Sequence, residues 1–237
     1  MKGVICLLAA SILFAALPIY PLENGDQRDV LFQTSTIGSL FEGVYDGQMT
    51  YGELKQHGDF GLGTFNALDG EMIGLDGEFY QIKSDGIAHP VDGSMKTPFA
   101  AGTFFEVDAS DELDGKNYTQ LRRYLDDLLP TKTIFYAIKI EGSFECVLTR
   151  SVPKQEKPYS PFSEVEEMQQ TFELQDVKGT MVGFWCPSFM EGINSPGYHL
   201  HFITEDRETG GHLIECQAQN VTIEIDYTSE FHMVLSG

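Results

Sequence analysis

Positive charge is scarce in this sequence: 15 Lys and Arg stand against 36 Asp and Glu, a formal net charge of −21 over 237 residues. A protein that grips a nucleic-acid backbone does so with clustered Lys and Arg, so this balance excludes nucleic acid as the partner. Cysteine is also rare. Of the four, Cys6 lies in an N-terminal apolar run, and Cys146, Cys186 and Cys216 are an odd set without a C-x-x-C pair. That excludes a disulfide framework and a thiolate zinc site, and leaves open either one bridge with one free thiol or three buried thiols. No internal repeat or low-complexity tract is present, and beyond residue 20 no apolar run is long enough to span a bilayer. Two nucleotide or nucleophile motifs are missing as well. The glycine-rich stretch from Gly58 to Phe65 lacks Gly-Lys-Ser/Thr and a third glycine after Gly61-x-Gly63. Gly192-Ile-Asn-Ser195-Pro-Gly197 has one residue too many for a nucleophile elbow.

What is present reads as a folded, strand-rich chain. A hydrophobic fraction of 42% with 12% aromatics is enough apolar side chain to offset the entropy of ordering. Lys2 followed by the uncharged Val4–Tyr20 run predicts a secretory signal peptide over residues 1–24, hence a secreted or extracytoplasmic protein with no membrane contact after cleavage. An uncleaved anchor is the other reading of that run. Asn117-Tyr-Thr and Asn220-Val-Thr fit the glycosylation acceptor pattern, which matters only in a eukaryotic host.

Asp-Gly pairs at 46, 69, 76, 85, 92 and 114 supply residues that tolerate the positive φ of tight hairpin turns. Between them, Glu71–Leu75, Glu78–Lys83 and Ile87–Val91 predict a meander of antiparallel strands. Thr133–Ile140 and Ser143–Val152, separated by Glu141-Gly142, predict a hairpin, and further strands are expected at 177–184, 198–204, 211–218, 221–227 and 231–235. Helices are few: a capped turn from Thr50 to Glu53, an apolar stripe of Leu121, Leu125, Leu128 and Leu129 stopped by Pro130, and Ser163–Gln170. The fold class is therefore α+β, β-rich, with two lobes each built on a mostly antiparallel or mixed sheet. The proline-rich stretch Val152–Ser163 reads as the link between an N-terminal lobe (25–155) and a C-terminal lobe (156–237).

The sharpest local signal is Tyr198-His199-Leu200-His201-Phe202 followed by Gly210-Gly211-His212. On a strand, His199 and His201 share a face, and a turn through Glu205–Gly211 returns His212 beside them. Three imidazoles converging from a hairpin suit zinc or another borderline divalent metal, with a coordination position left for substrate. The remaining histidines carry no such signal: His57 ends a short helix, His89 precedes Pro90, and His232 lies near the last residue. Arg150 closes the alternating set Phe144, Cys146, Leu148, Arg150, and an arginine on an inward face requires an anionic partner, either a structural carboxylate or an anionic substrate. Glu71 and Glu78 follow Asp-Gly turns and read by themselves as solvated strand starts.

Taken together, residues 33–47 (QTSTIGSLFEGVYDG), 57–86 (HGDFG through KSDG), 98–105 (PFAAGTFF), 135–144, 149–159 (TRSVPKQEKPY) and 179–212 (GTMVGFW through ETGGH) resemble α-acetolactate decarboxylase in family order. The resemblance implies a two-lobed fold in one family domain and zinc held by His199, His201 and His212. It implies catalytic roles for Glu71, Arg150 and Thr64. The implied reaction is decarboxylation of the small anionic substrate 2-acetolactate to acetoin and carbon dioxide, through an enediolate whose charge zinc stabilises. It also implies a tail after the last strand that brings a second glutamate to the site. No segment beyond Phe231–Leu235 matches that tail, so looser control of proton delivery is expected. A homodimer is compatible with the sequence. Two other functions fit parts of the sequence. His199-x-His201-x-x-x-Glu205 resembles the first metal motif of cupin oxygenases, and an inactive secreted metal-binding relative would also carry the three histidines.

Overall fold

The computed structural model describes residues 28–235. Residues 1–24, expected to be a signal peptide, lie outside them. Six strands in the first half build one sheet: β1 (Val30–Thr34), β2 (Phe60–Thr64), β3 (Glu71–Leu75), β4 (Glu78–Ile82), β5 (Ala88–Pro90) and β6 (Ala100–Thr103). The second sheet consists of β7 (Ala109–Asn117), β8 (Phe135–Ser151), β9 (Gln170–Cys186), β10 (Gly197–Thr204) and β11 (Gly210–Thr228). β12 (Glu230–Val234) then returns to the first sheet and runs parallel to β1, giving the order β12-β1-β6-β2-β3-β4-β5. All other pairings are antiparallel, so the β-rich α+β expectation holds. Four short helices accompany the sheets: α1 (Ile37–Phe41), α2 (Tyr51–Leu54), α3 (Tyr118–Leu128) and α4 (Phe162–Glu166).

Turn chemistry explains the first sheet. At Asp76-Gly77 both residues take positive φ, 54° and 77°, as a two-residue hairpin between β3 and β4 requires. Gly63 has a different reason: a Cβ there would lie 2.5 Å from the Phe99 carbonyl oxygen, so only glycine lets β2 lie this close to β6. The glycine-rich stretch is therefore a packing device.

In the second sheet, β10 pairs with both β9 and β11, while β8 also pairs with both, so the four strands form a closed ring of pairings. One face of this sheet packs on α3, whose Leu121 and Leu125 are fully buried against Tyr136, Ile138 and Ile223. Each such leucine contributes about 1.5–3 kcal/mol by removal from water. Asn117 caps α3 by accepting from the Gln120 N–H, and Gln120 reaches back to the Asn117 N–H. The opposite face packs on the first sheet: Leu31, Leu62, Ile73 and Ala101 meet Ala137, Val182, Phe184 and Ile203.

Four expectations are corrected. The sheets divide between Thr103 and Ala109, not at residue 155, because β8 pairs along its whole length with β9 and β11. Glu141-Gly142 makes no hairpin. β8 runs straight through it, with Gly142 at φ 152° where the backbone of Asn220 leaves no room for a side chain. Finally, Val152–Ser163 is no inter-lobe link. Val152, Phe162 and Val165 pack on Ile37, Leu40, Leu68 and Phe99, Gln155 N–H donates to the Ala67 carbonyl, and Tyr45 donates to the Ser160 carbonyl. The prolines keep this segment extended so that it lies against α1, Leu68 and Phe99 as a cover. The helix expected over Ser163–Gln170 shortens to Phe162–Glu166, since Gln170 is taken into β9 opposite Ser151. Cys146, Cys186 and Cys216 are all free thiols.

Candidate active site

Strand register assembles the site. His201 lies directly opposite His212, and His212 directly opposite Arg150, so three adjacent strands (β10, β11 and β8) present them in one row. His199, two residues before His201, shares its face. Leu200 and Phe202 point the other way into the core beneath α3. The polar turn through Glu205 does return His212, as the spacing predicted. The ring centroids of the three imidazoles lie 5.0–5.2 Å apart, and one nitrogen of each falls within 4.8 Å of the other two.

The alternation that placed Arg150 is corrected by a β-bulge. β8 advances two residues, Phe144 to Cys146, while β11 advances one, Ala218 to Gln217. Phe144 therefore shares the core face with Val147, and Arg150 is turned to the opposite face, beside the histidines. Its Nη1 is buried and has no hydrogen-bond partner among the described residues. No structural carboxylate has claimed it.

Glu71, expected to be solvated, is 8% exposed, whereas Glu78 is exposed. Glu71 begins β3 opposite Thr64, and its Oε2 lies 3.6 Å from His201 Nε2. Thr64 is buried and donates to the Gly70 carbonyl at 2.7 Å, which fixes the turn that delivers Glu71. His201 Nδ1 lies 2.8 Å from the Met72 carbonyl, and since a carbonyl only accepts, Nδ1 carries the proton. Nε2 is then the lone-pair nitrogen, and it is buried without a hydrogen-bond partner, as is His199 Nδ1.

Burial, reinforced by the Arg150 charge, lowers His199 to about 4; burial first, then neighbouring imidazoles and Arg150, holds His201 and His212 well below the usual histidine range. All three are neutral near pH 7, the state in which an imidazole binds a metal. The Glu71–His201 contact is consequently no ion pair. Burial pushes the Glu71 carboxyl up to about 7, with the Arg150 charge opposing the rise. Unpartnered buried nitrogens, a fixed tautomer and neutral rings fit a metal ion held by His199, His201 and His212.

These residues line a cavity of about 630 Å³ whose upper wall includes Ile37, Leu40, Phe99, Val152 and Phe162. The sequence reading missed that wall. Its signal was Thr36, which accepts from the Ser39 N–H and starts α1. Gln33, fully buried, ties α1 to the other side of the cavity: it donates to the Ser35 and Ile193 carbonyls and accepts from Asn194. Glu205, the acidic member of the cupin-like motif, is exposed and lines a separate cleft with Lys139 and Lys178, so that motif does not assemble.

Comparison with known proteins identifies the family of the chain. The family model described as Alpha-acetolactate decarboxylase matches residues 31–237. The chain is 48% identical over 218 residues to the alpha-acetolactate decarboxylase of Methanosarcina mazei, covering 92% of this chain and 76% of that one. It is equally 48% identical to the enzyme of Methylococcus capsulatus, covering 90% and 82%. The crystal structure of alpha-acetolactate decarboxylase from Bacillus subtilis strain 168 superposes with a TM-score of 0.86 at 42% identity, covering 88% of this chain and 89% of that one.

Proposed function

Because the chain belongs to the alpha-acetolactate decarboxylase family and is a carboxy-lyase of that kind, we propose that its reaction runs in the cavity described above, with zinc held by His199, His201 and His212. The observation that carries this reading is the convergence of three neutral imidazoles, an unclaimed arginine and a protonatable carboxyl in one cavity between the two sheets. Bound there, zinc supplies Lewis-acid polarisation of substrate oxygens and positive charge where negative charge develops.

The protein's own residues do the rest. Arg150 offers its buried fork to the substrate carboxylate, a charge-assisted contact that orients the bond to be broken. That carbon–carbon bond breaks, carbon dioxide leaves, and the electron pair passes toward the neighbouring ketone oxygen as an enediolate. Glu71, with its carboxyl held near 7, delivers a proton to the carbon that lost the carboxylate and regains one from water. Thr64 keeps Glu71 in place through the Gly70 turn and retains acceptor capacity toward the substrate hydroxyl. Leu40, Phe99, Val152 and Phe162 shield the reacting centre from bulk water and suit the two methyl groups of the substrate. The N-terminal apolar run supports an extracytoplasmic location, which sequencing the N-terminus of the mature protein tests.

The deciding experiment measures acetoin from 2-acetolactate above its spontaneous decay, with zinc content measured alongside. Acetoin formation that falls with chelation and returns with zinc is expected. A full rate in metal-free protein would overturn the zinc assignment.

A further inference from the structure

A second cluster of ligating side chains lies away from the cavity, where the two sheets join. Asp29 immediately precedes β1, Asp108 immediately precedes β7, and Asp226 stands near the end of β11. One carboxylate oxygen of each lies within 4.8 Å of the other two. Two of these residues are exposed, but Asp226 is 1% exposed, and its Oδ1 is buried with no hydrogen-bond partner. A buried carboxylate with an unsatisfied oxygen, clustered with two further carboxylates, is costly unless a cation joins them.

The backbone holds this arrangement rigidly. Asp226 Oδ2 accepts from the Glu106 N–H at 3.2 Å, and Asp108 Oδ2 accepts from the Tyr227 N–H at 2.7 Å. The Asp108 N–H donates to the Ile225 carbonyl, and the Glu230 N–H donates to the Asp29 carbonyl. Three segments, from both sheets and from the crossing between them, are thus brought to one point. The nearby Arg28 pairs with Glu106 at 3.9 Å. Burial, with the charges of Asp108, Asp29 and Glu106, pushes the Asp226 carboxyl up to about 7. The surrounding carboxylates therefore aggravate the burial of Asp226.

The donor set is oxygen only, without imidazole or thiolate, which selects a hard cation over zinc. Three oxygens within 4.8 Å of one another can reach a common cation, and the two exposed aspartates leave room for the water that completes a calcium shell. We infer that Asp29, Asp108 and Asp226 form a calcium site that clamps β11 and the 104–108 crossing to the start of β1. The site is structural. It shares no residue with the histidine cavity, so its test is independent of the catalytic reading.

The test titrates the purified full chain, with its histidine site loaded, with calcium chloride up to about 10 mM, above the range of weak protein calcium sites. Expected results are one calcium bound per chain by equilibrium dialysis and a Tm that climbs with calcium concentration, as a ligand of the native state requires. Asp108→Asn, at an exposed position, and Asp226→Asn should each weaken calcium binding at least about tenfold while acetoin formation is retained. If Asp226→Asn fails to fold, Asp108→Asn carries the test. Absence of bound calcium in the wild type, undiminished binding in Asp108→Asn, or an equal response to magnesium chloride would each overturn the assignment.

Discussion

Five of the six histidines of this chain fall into two groups, with His89 apart on β5, and the two groups show how context divides one side chain into different jobs. On the face between the sheets, His199, His201 and His212 turn lone-pair nitrogens toward one another, with Arg150 and Glu71 beside them. On the outer face of the first sheet, His57 stacks on Phe32 with centroids 3.9 Å apart and planes 5° from parallel, while His232 meets both rings edge-on. Burial lowers the pKa in both places, foremost in His57 and in all three cavity histidines. Burial alone therefore does not mark a site. The difference lies in what the nitrogens meet: other nitrogens and an unclaimed cation in one place, an aromatic face in the other.

Substitutions test that contrast, beginning with the greatest effect. His212→Ala should abolish acetoin formation and lower bound zinc together, as measured by a coupled acetoin assay and metal analysis; full metal content and rate would break the assignment. Glu71→Gln keeps the shape and removes the proton, so kcat should fall by about 10²–10⁴ with zinc content unchanged. A parallel loss of zinc would instead make Glu71 a ligand. Arg150→Lys retains charge but loses the fork, and kcat/KM should drop about 10- to 100-fold, the value of a charged hydrogen bond of about 1.5–3 kcal/mol. Near-normal kcat/KM would assign Arg150 a peripheral role.

The smallest effect is expected at the other group. His57 has its pKa lowered in the folded state, so as pH falls through the unfolded value of 6.5 the unfolded chain takes up a proton that the native chain refuses. Stability should then decline on acidification from pH 7 toward 5, and His57→Phe should flatten that part of a Tm-against-pH profile without altering the acetoin rate. A rate loss in this variant would erase the distinction between the two groups.

Much of the site was legible because it is local. His199 and His201 share a face by the period of two along a strand, and His212 returns through a short polar turn, so no distant part of the chain needs to be known. The Asp-Gly turns, the capped turn at Thr50 and the leucine stripe of α3 are likewise set by preferences within a few residues. Glu71 and Arg150 are different. By itself the glutamate reads as a solvated strand start; it is the second sheet, packed over β3, that buries it and raises its pKa. Arg150 reads as core-facing until the bulge opposite Ala218 and Gln217 turns its strand. The Val152–Ser163 stretch reads as a linker because prolines signal extended backbone, yet the apolar face of α1 makes it a cover. Local sequence thus determined which residues could ligate a metal, since side-chain alternation and turn chemistry are short-range. Only the tertiary structure decided which carboxylate and which cation stand beside them, because burial, register shifts and the meeting of two sheets depend on residues far apart along the chain.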